Sequence, residues 1–181
     1  ECQSLMSAME RLGRTYPAAL AALGGLRDAA MTQLKAQPGY RELAFEIALL
    51  NERLGEGRHT LAVYDALPAD DIGRRSLAMI ARRSFIAARR YDDALLGKSI
   101  GQMLSQVEAA TRAIINMDAE RQEAMRQSIV DSILTDLEVL TGAGKPDEAH
   151  LLTERLLAFD GSESTRARLK QSGDRAPAPK P

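Results

Sequence analysis

The sequence Gly144-Lys145-Pro146-Asp147-Glu148-Ala149 joins two stretches with apolar residues at helical spacing, and similar sequences occur twice earlier in the chain. These are Gly57-Arg58-His59-Thr60-Leu61-Ala62 and Arg89-Arg90-Tyr91-Asp92-Asp93-Ala94. Each copy has Gly or Arg first, a basic residue second, a ring-bearing residue third and Ala last. A connecting segment that recurs in this way predicts stacked helix pairs rather than a catalytic globule.

Composition favours an all-α fold. The chain has 181 residues, of which 45% are hydrophobic, only 4% are aromatic and none is Trp. A core with few rings is filled by Leu, Ala, Ile and Met, most of which are good helix formers. No apolar run approaches the ~20 residues that span a bilayer, so no transmembrane segment is expected. We predict an all-α protein of about eight or nine helices.

Local signals predict three parts along the chain. Residues 1–14 carry apolar residues at helical spacing and are predicted to form an N-terminal helical segment. Residues 15–171 are predicted to form the helical repeat domain, in which Asp118 caps a helix and Pro17 and Pro146 lie in the first turns of two others. Residues 172–181 mix Pro, Ala and charged residues without an apolar face, and they are predicted to be a disordered tail.

Two long helices are predicted in the middle of the repeat domain. The first extends from Ile72 to about Arg89, and the acidic pair Asp70-Asp71 caps its start and offsets its macrodipole. The second begins near Asp92-Asp93 and extends to about Asn116. It would place Gly97 and Gly101 on one face, a spacing that suits close packing of helices.

The three recurring sequences resemble the turn between the two helices of a tetratricopeptide (TPR) repeat. In that family the turn has Gly, then Tyr two positions later, then an Ala that packs where the helices cross. The structural repeat positions that match here are Gly57, Ala62, Tyr91, Ala94, Gly144 and Ala149. The resemblance covers roughly residues 40–160, and it implies a right-handed superhelical stack of antiparallel helix hairpins, an α-solenoid.

The repeat is irregular. Ala62 and Ala94 are 32 residues apart, near the family's period of about 34, whereas Ala94 and Ala149 are 55 apart. The second copy has Arg89 where Gly is usual, and the Trp of the family is absent. About 20 extra residues therefore separate the last two copies.

A basic stripe is the most prominent local feature. Six Arg and no acidic residue lie between Ile72 and Arg90, and the seven-residue spacing of Arg75, Arg82 and Arg89 puts them on one face of a continuous helix. Arg binds carboxylates and phosphates bidentately, so the stripe is a candidate surface for an acidic peptide, a phosphate or a polyanion. Alternatively it is a solvated face that four flanking aspartates reduce from +6 to +2. The candidate partner-binding residues are Arg75, Arg82, Arg83, Arg89 and Arg90.

The C-terminal third has the opposite charge. Residues 118–163 contain eleven acidic and four basic residues, a balance of −7. Opposite charges at the two ends of a solenoid allow copies to pair head to tail. The alternative, which we favour on sequence alone, is an ordinary solvated surface.

No catalytic, metal or cofactor site is predicted. His59 and His150 are the only histidines, and neither has a Cys or His at ligand spacing. The single cysteine, Cys2, has no His nearby in sequence, and there is no nucleophile elbow and no Gly-rich phosphate loop. The net charge is −1, and aromatic residues that stack on bases are missing around the Arg stripe. We expect no enzyme, no cofactor and no nucleic-acid partner.

These observations favour a non-enzymatic protein-protein interaction module or scaffold. The TPR resemblance implies that a peptide or partner protein binds a concave surface built from the first helix of each pair, and an acidic segment would contact Arg82 and Arg89. The alternative function is a self-associating structural subunit of a bacterial envelope or secretion assembly. The chain begins at Glu1 instead of Met, and 19 of its 24 basic residues are Arg. The absence of an initiator Met favours an exported or periplasmic protein over a cytoplasmic one, and the excess of Arg over Lys is compatible with a GC-rich bacterial genome.

Overall fold

The computed structural model describes residues 16–37 and 40–175, and these residues form ten helices and no β-strand. The all-α prediction is confirmed, but the described helices outnumber the eight or nine that were predicted. The predicted N-terminal segment, residues 1–14, lies outside the described residues, as does Cys2. No helix in the described ranges is both long and apolar enough to cross a bilayer.

The chain divides into two compact units, Glu1–Gly97 and Lys98–Pro181. The predicted repeat domain, residues 15–171, contains the boundary between them. The described helices of the first unit are α1 Pro17–Ala36, α2 Arg41–Leu54, α3 Gly57–Ala66, α4 Ile72–Ile80, α5 Arg82–Ala87 and α6 Tyr91–Leu96. Those of the second unit are α7 Ile100–Ile114, α8 Ala119–Gly142, α9 Pro146–Phe159 and α10 Glu163–Arg175.

In the first unit, α2 contacts α1, α3 and α4. Helix α3 also contacts α4 and α5, and helix α6 packs on the same two helices. Each contact buries one apolar face of a helix, which is the main favourable term in folding. Some of the largest fully buried side chains are Leu23, Ile47, Leu50, Tyr64, Leu77 and Phe85. Helices α3 and α5 approach closely, since a Cβ built at Gly57 would lie 1.9 Å from Ser84 Oγ.

In the second unit, α8 contacts α7, α9 and α10, and α7 also contacts α9. The facing sides of the first three helices carry fully buried side chains, and these are Met103, Val130, Ile133, Leu140, Leu152 and Leu156. Helix α10 extends to Arg175, four residues beyond the end at Gln171 that the sequence predicted. The predicted tail therefore begins inside this helix, and residues 176–181 lie outside the described residues.

Several helix starts follow the predicted local chemistry. Asp71 is the N-cap of α4 and accepts a hydrogen bond from the Gly73 N–H at 2.6 Å. Asp118 caps α8 in the same way through the Arg121 N–H at 2.9 Å. Pro17 and Pro146 stand in the first turns of α1 and α9, where a missing N–H costs little.

Both long helices predicted in the middle of the chain are interrupted. The first breaks at Ala81, which has φ −88° and ψ 24° and separates α4 from α5. The second breaks before Ser99, which caps α7 in a reciprocal capping box with Gln102. Gly97 therefore lies in a turn and Gly101 lies at the start of α7, so the prediction that they share one helix face was wrong.

Three connections between helices share one backbone geometry. A left-handed residue follows the first helix in each, with φ of 70° at Gly55, 56° at Arg89 and 69° at Gly144. The N–H of the next residue then donates to the carbonyl five positions back, at 2.8 to 2.9 Å in all three turns. This is the bond of a Schellman C-cap, which satisfies carbonyls at the end of a helix. The turns join α2 to α3, α5 to α6 and α8 to α9.

The backbone corrects the predicted register of the first copy by two residues. Gly55, and not Gly57, has the left-handed conformation, and Gly57 is the first residue of α3. Thr60 then takes the position that Ala94 has in the second copy, and both residues are fully buried. Ala62 is exposed instead. Composition could not separate the two glycines, because the positive φ alone distinguishes them.

Candidate interaction surface

The predicted Arg stripe does not lie on one helix. Because the chain bends at Ala81, Arg75 belongs to α4, Arg82 belongs to α5 and Arg89 lies in the turn after α5. Arg82 is half-buried, and Arg75 and Arg89 are exposed. The inference that seven-residue spacing gives these three side chains a common helix face was therefore wrong.

Arg90 belongs to a cluster of charged and aromatic side chains around Tyr64. Its guanidinium forms a bidentate pair with Asp65 at 2.8 and 2.7 Å, and its Nε donates to Asp93 Oδ2 at 2.8 Å. The Tyr64 hydroxyl donates to Asp93 Oδ1 at 2.5 Å. We call this set the Tyr64 cluster, and its members are Tyr64, Asp65, Arg74, Phe85, Arg90 and Asp93.

The aromatic members support the two Arg side chains. The Tyr64 and Phe85 rings meet edge to face, with centroids 4.8 Å apart. The Arg74 guanidinium carbon lies 4.1 Å from the Tyr64 ring centroid, and the Arg90 carbon lies 5.2 Å from both rings. Cation–π contacts of this kind add to the ion pairs. Two cations balance two carboxylates in the cluster, so Arg90 is committed to contacts within the first unit.

The cluster shifts the pKa values of its members in directions that hold it together. Burial, reinforced by the hydrogen bond to Asp93, raises the pKa of Tyr64 to about 12. The hydrogen bond from Arg90 lowers the pKa of Asp65, and the hydrogen bond to Asp65 raises the pKa of Arg90. At neutral pH the Tyr64 phenol stays protonated and the Asp65 carboxylate stays charged. The cluster therefore stabilises the packing of α3, α4 and the α5–α6 turn.

The histidines do not form a metal site. His59 Nδ1 lies 2.9 Å from Glu56, which also pairs with Arg27. The nearby cation opposes a metal ion at this position. Exposed His150 lies 3.5 Å from Glu154. No group of three or more His, Cys, Asp or Glu residues that is suited to a metal occurs among the described residues.

Three of the candidate Arg side chains face solvent. Arg75, Arg83 and Arg89 are exposed, and within the described ranges none of them has an ion-pair partner. They therefore present three positive charges on α4, on α5 and in the turn that follows α5. This is half of the six-residue stripe that the sequence predicted.

Exposed apolar side chains lie beside Arg75. Ile72 is 59% exposed and Met79 is 47% exposed, and together with Arg75 they follow the i, i+3, i+7 spacing of one helix face. Leu96 at the end of α6 is 50% exposed. That end contacts α4 directly, because a Cβ built at Gly97 would lie 2.7 Å from Met79 Cα. We call Ile72, Arg75, Met79 and Leu96 the α4 face.

Sequence reasoning missed the apolar part of this face. From the sequence, Leu and Met side chains were expected to fill the core, but Met79 is 47% exposed and Leu96 is 50% exposed. Small residues take the inward positions of α4 instead, since Gly73, Ser76 and Ala78 are buried beside Leu77. The signal available in the sequence was the i, i+3, i+7 spacing of Ile72, Arg75 and Met79 with small residues between them. This spacing does not indicate which side of the helix packs against the core.

Each unit also has a cleft on its surface. An apolar cleft of about 190 Å³ in the first unit is lined by Met31, Leu34 and Val63 among others. A polar cleft of about 470 Å³ in the second unit lies between α8 and α10, where Arg168 pairs with Asp131.

The second unit also contains a buried ion pair. Lys98 Nζ lies 2.5 Å from Asp136 Oδ2 and 2.6 Å from Gln106 Oε1, and Asp136 is fully buried. Gln106 in turn donates to Ser132 Oγ at 3.1 Å. These contacts fix Lys98, two residues before α7, against α8. Their role is structural.

No protein-family model, curated protein or solved structure matches the chain. The side chains of residues 16–37 and 40–175 are therefore the basis for inferring its function.

Proposed function

We propose that this protein is a non-enzymatic interaction module that binds an acidic amphipathic segment of a partner protein on the α4 face. The observation that carries the proposal is the exposed set Ile72, Arg75, Met79 and Leu96, in which Ile72 and Met79 lie about one helical turn to either side of the exposed Arg75. Contiguous exposed apolar groups of this kind mark interaction sites in soluble proteins.

The apolar members supply the contact area. Helix α4 is only nine residues long, yet two of its large apolar side chains point away from the core. Burial of apolar surface by a partner is favourable by about 25 cal/mol per Å² before the cost of association. Met79 has an unbranched, adaptable side chain that suits a partner with an irregular apolar face.

The charges select an acidic partner. Arg75 lies within the apolar set, and Arg83 and Arg89 are exposed on the elements that follow α4. An Arg guanidinium binds a carboxylate bidentately, which gives orientation as well as affinity. Exposed cations beside exposed apolar side chains favour peptides with acidic and apolar residues, and they disfavour basic ones.

The backbone of Arg89 gives independent support. Arg89 has φ 56°, a conformation that costs a non-Gly residue roughly 1 kcal/mol. Gly occupies the equivalent position in the other two turns. Strain of this kind is typical of residues whose side chain has a function, and binding of an acidic segment would use the exposed Arg89 side chain.

The arrangement of helices supports a TPR-like interpretation of the scaffold. The α2–α3 and α5–α6 turns are 34 residues apart at Gly55 and Arg89, which equals the TPR period. Helix α4 also packs on both α2 and α3, as the first helix of a following hairpin would. On this interpretation α4 is one of the helices that line the binding surface of a solenoid.

The proposal is tested with a fluorescein-labelled amphipathic peptide of Leu and Glu at helical spacing, and with the same peptide carrying Lys in place of Glu. We expect fluorescence anisotropy to show binding of the Glu peptide alone, with an affinity that falls as salt rises. Arg75→Glu should weaken binding at least tenfold, and Met79→Asp should do the same through loss of apolar contact.

The matched control is Arg112→Glu, which makes the same charge change at an exposed position on α7 in the other unit. It should bind the Glu peptide as the wild type does. Equal binding of the two peptides, or an Arg75→Glu protein that binds like the control, would contradict the proposed function.

A further inference from the structure

Helix α9 carries an exposed face that is complementary to the α4 face. Asp147, Leu151 and Glu154 follow i, i+4, i+7 spacing, and all three are exposed, with Leu151 at 39%. Asp147 has no ion-pair partner among the described residues. Glu154 lies 3.5 Å from His150 in a solvated pair, which contributes little. We call these three residues the α9 face.

The two faces share one spacing, an apolar residue followed three positions later by a charged residue, at Ile72–Arg75 and at Leu151–Glu154. The α4 face has a cation between two apolar side chains, and the α9 face has an apolar side chain between two carboxylates. Residues seven apart on a helix are about 10 Å apart along its axis. In a parallel arrangement of the two helices, Glu154 can therefore lie opposite Arg75 while Leu151 lies opposite Ile72, because the two pairs have the same three-residue spacing.

The charge of the two regions agrees with this pairing. Arg75, Arg83 and Arg89 are exposed without an ion-pair partner among the described residues, whereas residues 118–163 contain seven more acidic than basic residues. Complementary potentials of this kind increase the rate of encounter and fix the orientation of the partners. The acidic amphipathic segment proposed above is thus present on the second unit of the same chain.

We infer that the partner of the α4 face is the α9 face of a second copy of this protein. This inference rests on the proposed function and names the partner of the same surface. The contact is heterologous, because it joins different patches on the two copies, so each copy keeps one face open for the next. Association should be weak and salt-sensitive, because the core of the contact is small.

The test is sedimentation velocity of the full chain over a range of protein and salt concentrations. The weight-average sedimentation coefficient of the wild type should rise with concentration and fall with added salt. Arg75→Glu and Glu154→Arg should each lower the association constant at least tenfold. The double variant Arg75→Glu/Glu154→Arg should recover most of the loss, because the opposite charges face each other again with their signs exchanged.

The matched control for this recovery is Arg75→Glu/Glu108→Arg, which has the same net charge as the double variant. Glu108 is exposed on α7 and lies outside the α9 face, so this protein should associate no better than Arg75→Glu alone. Equal recovery in the two double variants would overturn the inference, as would a wild type that stays monomeric into the millimolar range.

Failure of the inference is distinguishable from failure of the proposed function. A monomeric wild type that still binds the Leu–Glu peptide through Arg75 overturns self-association and leaves the acidic-partner module standing. A wild type that neither associates nor binds the peptide overturns both.

Discussion

Gly55 and Arg89 occupy the same backbone position in two turns that are 34 residues apart, with φ of 70° and 56°. In both turns the following N–H donates to the carbonyl five positions back, from Glu56 to Asn51 and from Arg90 to Phe85. Gly takes this conformation without strain and Arg does not. The second turn therefore has the same left-handed conformation at a residue, Arg89, for which this conformation is unfavourable.

Arg89→Gly should separate stability from binding. Removal of the left-handed strain should raise the free energy of unfolding by about 1 kcal/mol, while loss of the cation weakens binding of the Leu–Glu peptide. Urea denaturation measures the first effect and fluorescence anisotropy the second. The converse variant, Gly144→Arg, should lower the free energy of unfolding by a similar amount. A less stable Arg89→Gly protein would show that the Arg side chain supports the fold.

Gly97→Ala should be destabilising, because the new Cβ would lie 2.7 Å from Met79 Cα and 2.8 Å from the Ala78 carbonyl oxygen. Backbone atoms cannot yield as a flexible side chain does, so we expect a loss of about 2 kcal/mol or more. Thermal and urea unfolding both measure this loss.

Gly101→Ala is the matched control for Gly97→Ala. The nearest atom to its new Cβ is Ser99 Oγ at 3.9 Å, and Gly101 lies in the first turn of α7. Ala is the better helix former by up to about 1 kcal/mol, so this protein should be as stable as the wild type or more so. Equal losses in the two variants would argue against close packing at Gly97.

Lys98→Met should leave the fully buried Asp136 without its cation and cost about 3 kcal/mol. The double variant Lys98→Met/Asp136→Leu replaces the pair by apolar side chains of similar size, and it should recover most of that loss. Urea denaturation of the wild type, Lys98→Met, Asp136→Leu and the double variant gives the coupling between the two positions. Additive losses in the double variant would show that the pair contributes little as a pair.

Alkaline pH should weaken the first unit through Tyr64. Its pKa is raised to about 12, mainly by burial and further by the hydrogen bond to Asp93, whereas an unfolded Tyr has a pKa of about 10. The folded state therefore holds this proton more tightly. Its contribution to stability is complete below about pH 10 and is lost as the pH rises through about 12.

The variant Tyr64→Phe tests this pH dependence. It should lose about 1 kcal/mol at pH 8, because the hydrogen bond to Asp93 is removed. Its free energy of unfolding should then fall less than that of the wild type between about pH 10 and pH 12. Urea denaturation across this range provides the measurement. Parallel curves for the two proteins would exclude Tyr64 as the titrating group.

Local chemistry made several parts of the fold predictable. Asp71 and Asp118 were recognisable as helix caps, and Pro17 and Pro146 as first-turn residues, because each of these signals acts within a few residues of chain. The turn at Gly144 was equally clear. The turn at Gly55 was misassigned by two residues, because a second Gly follows and only the backbone conformation separates them.

The candidate surface was predictable only in part. The Arg-rich stretch was visible in the sequence, but whether each Arg is paired or exposed depends on residues distant in the chain. Asp65 is 25 positions from Arg90, and the two are joined by a bidentate pair. No Gly or Pro marks the break at Ala81, so the Arg stripe was wrongly predicted to lie on one face of a continuous helix.

The sequence by itself determined that this protein is built from helices and which residues cap several of them, because helix propensity, caps and left-handed turns are properties of short segments. Tertiary packing decided which side of α4 is covered, and so left Ile72, Arg75 and Met79 in solvent. It also drew Arg90 into the Tyr64 cluster and left Arg89, its neighbour, outside. Exposure and pairing depend on which helices meet, and contacts between helices are set by the whole fold.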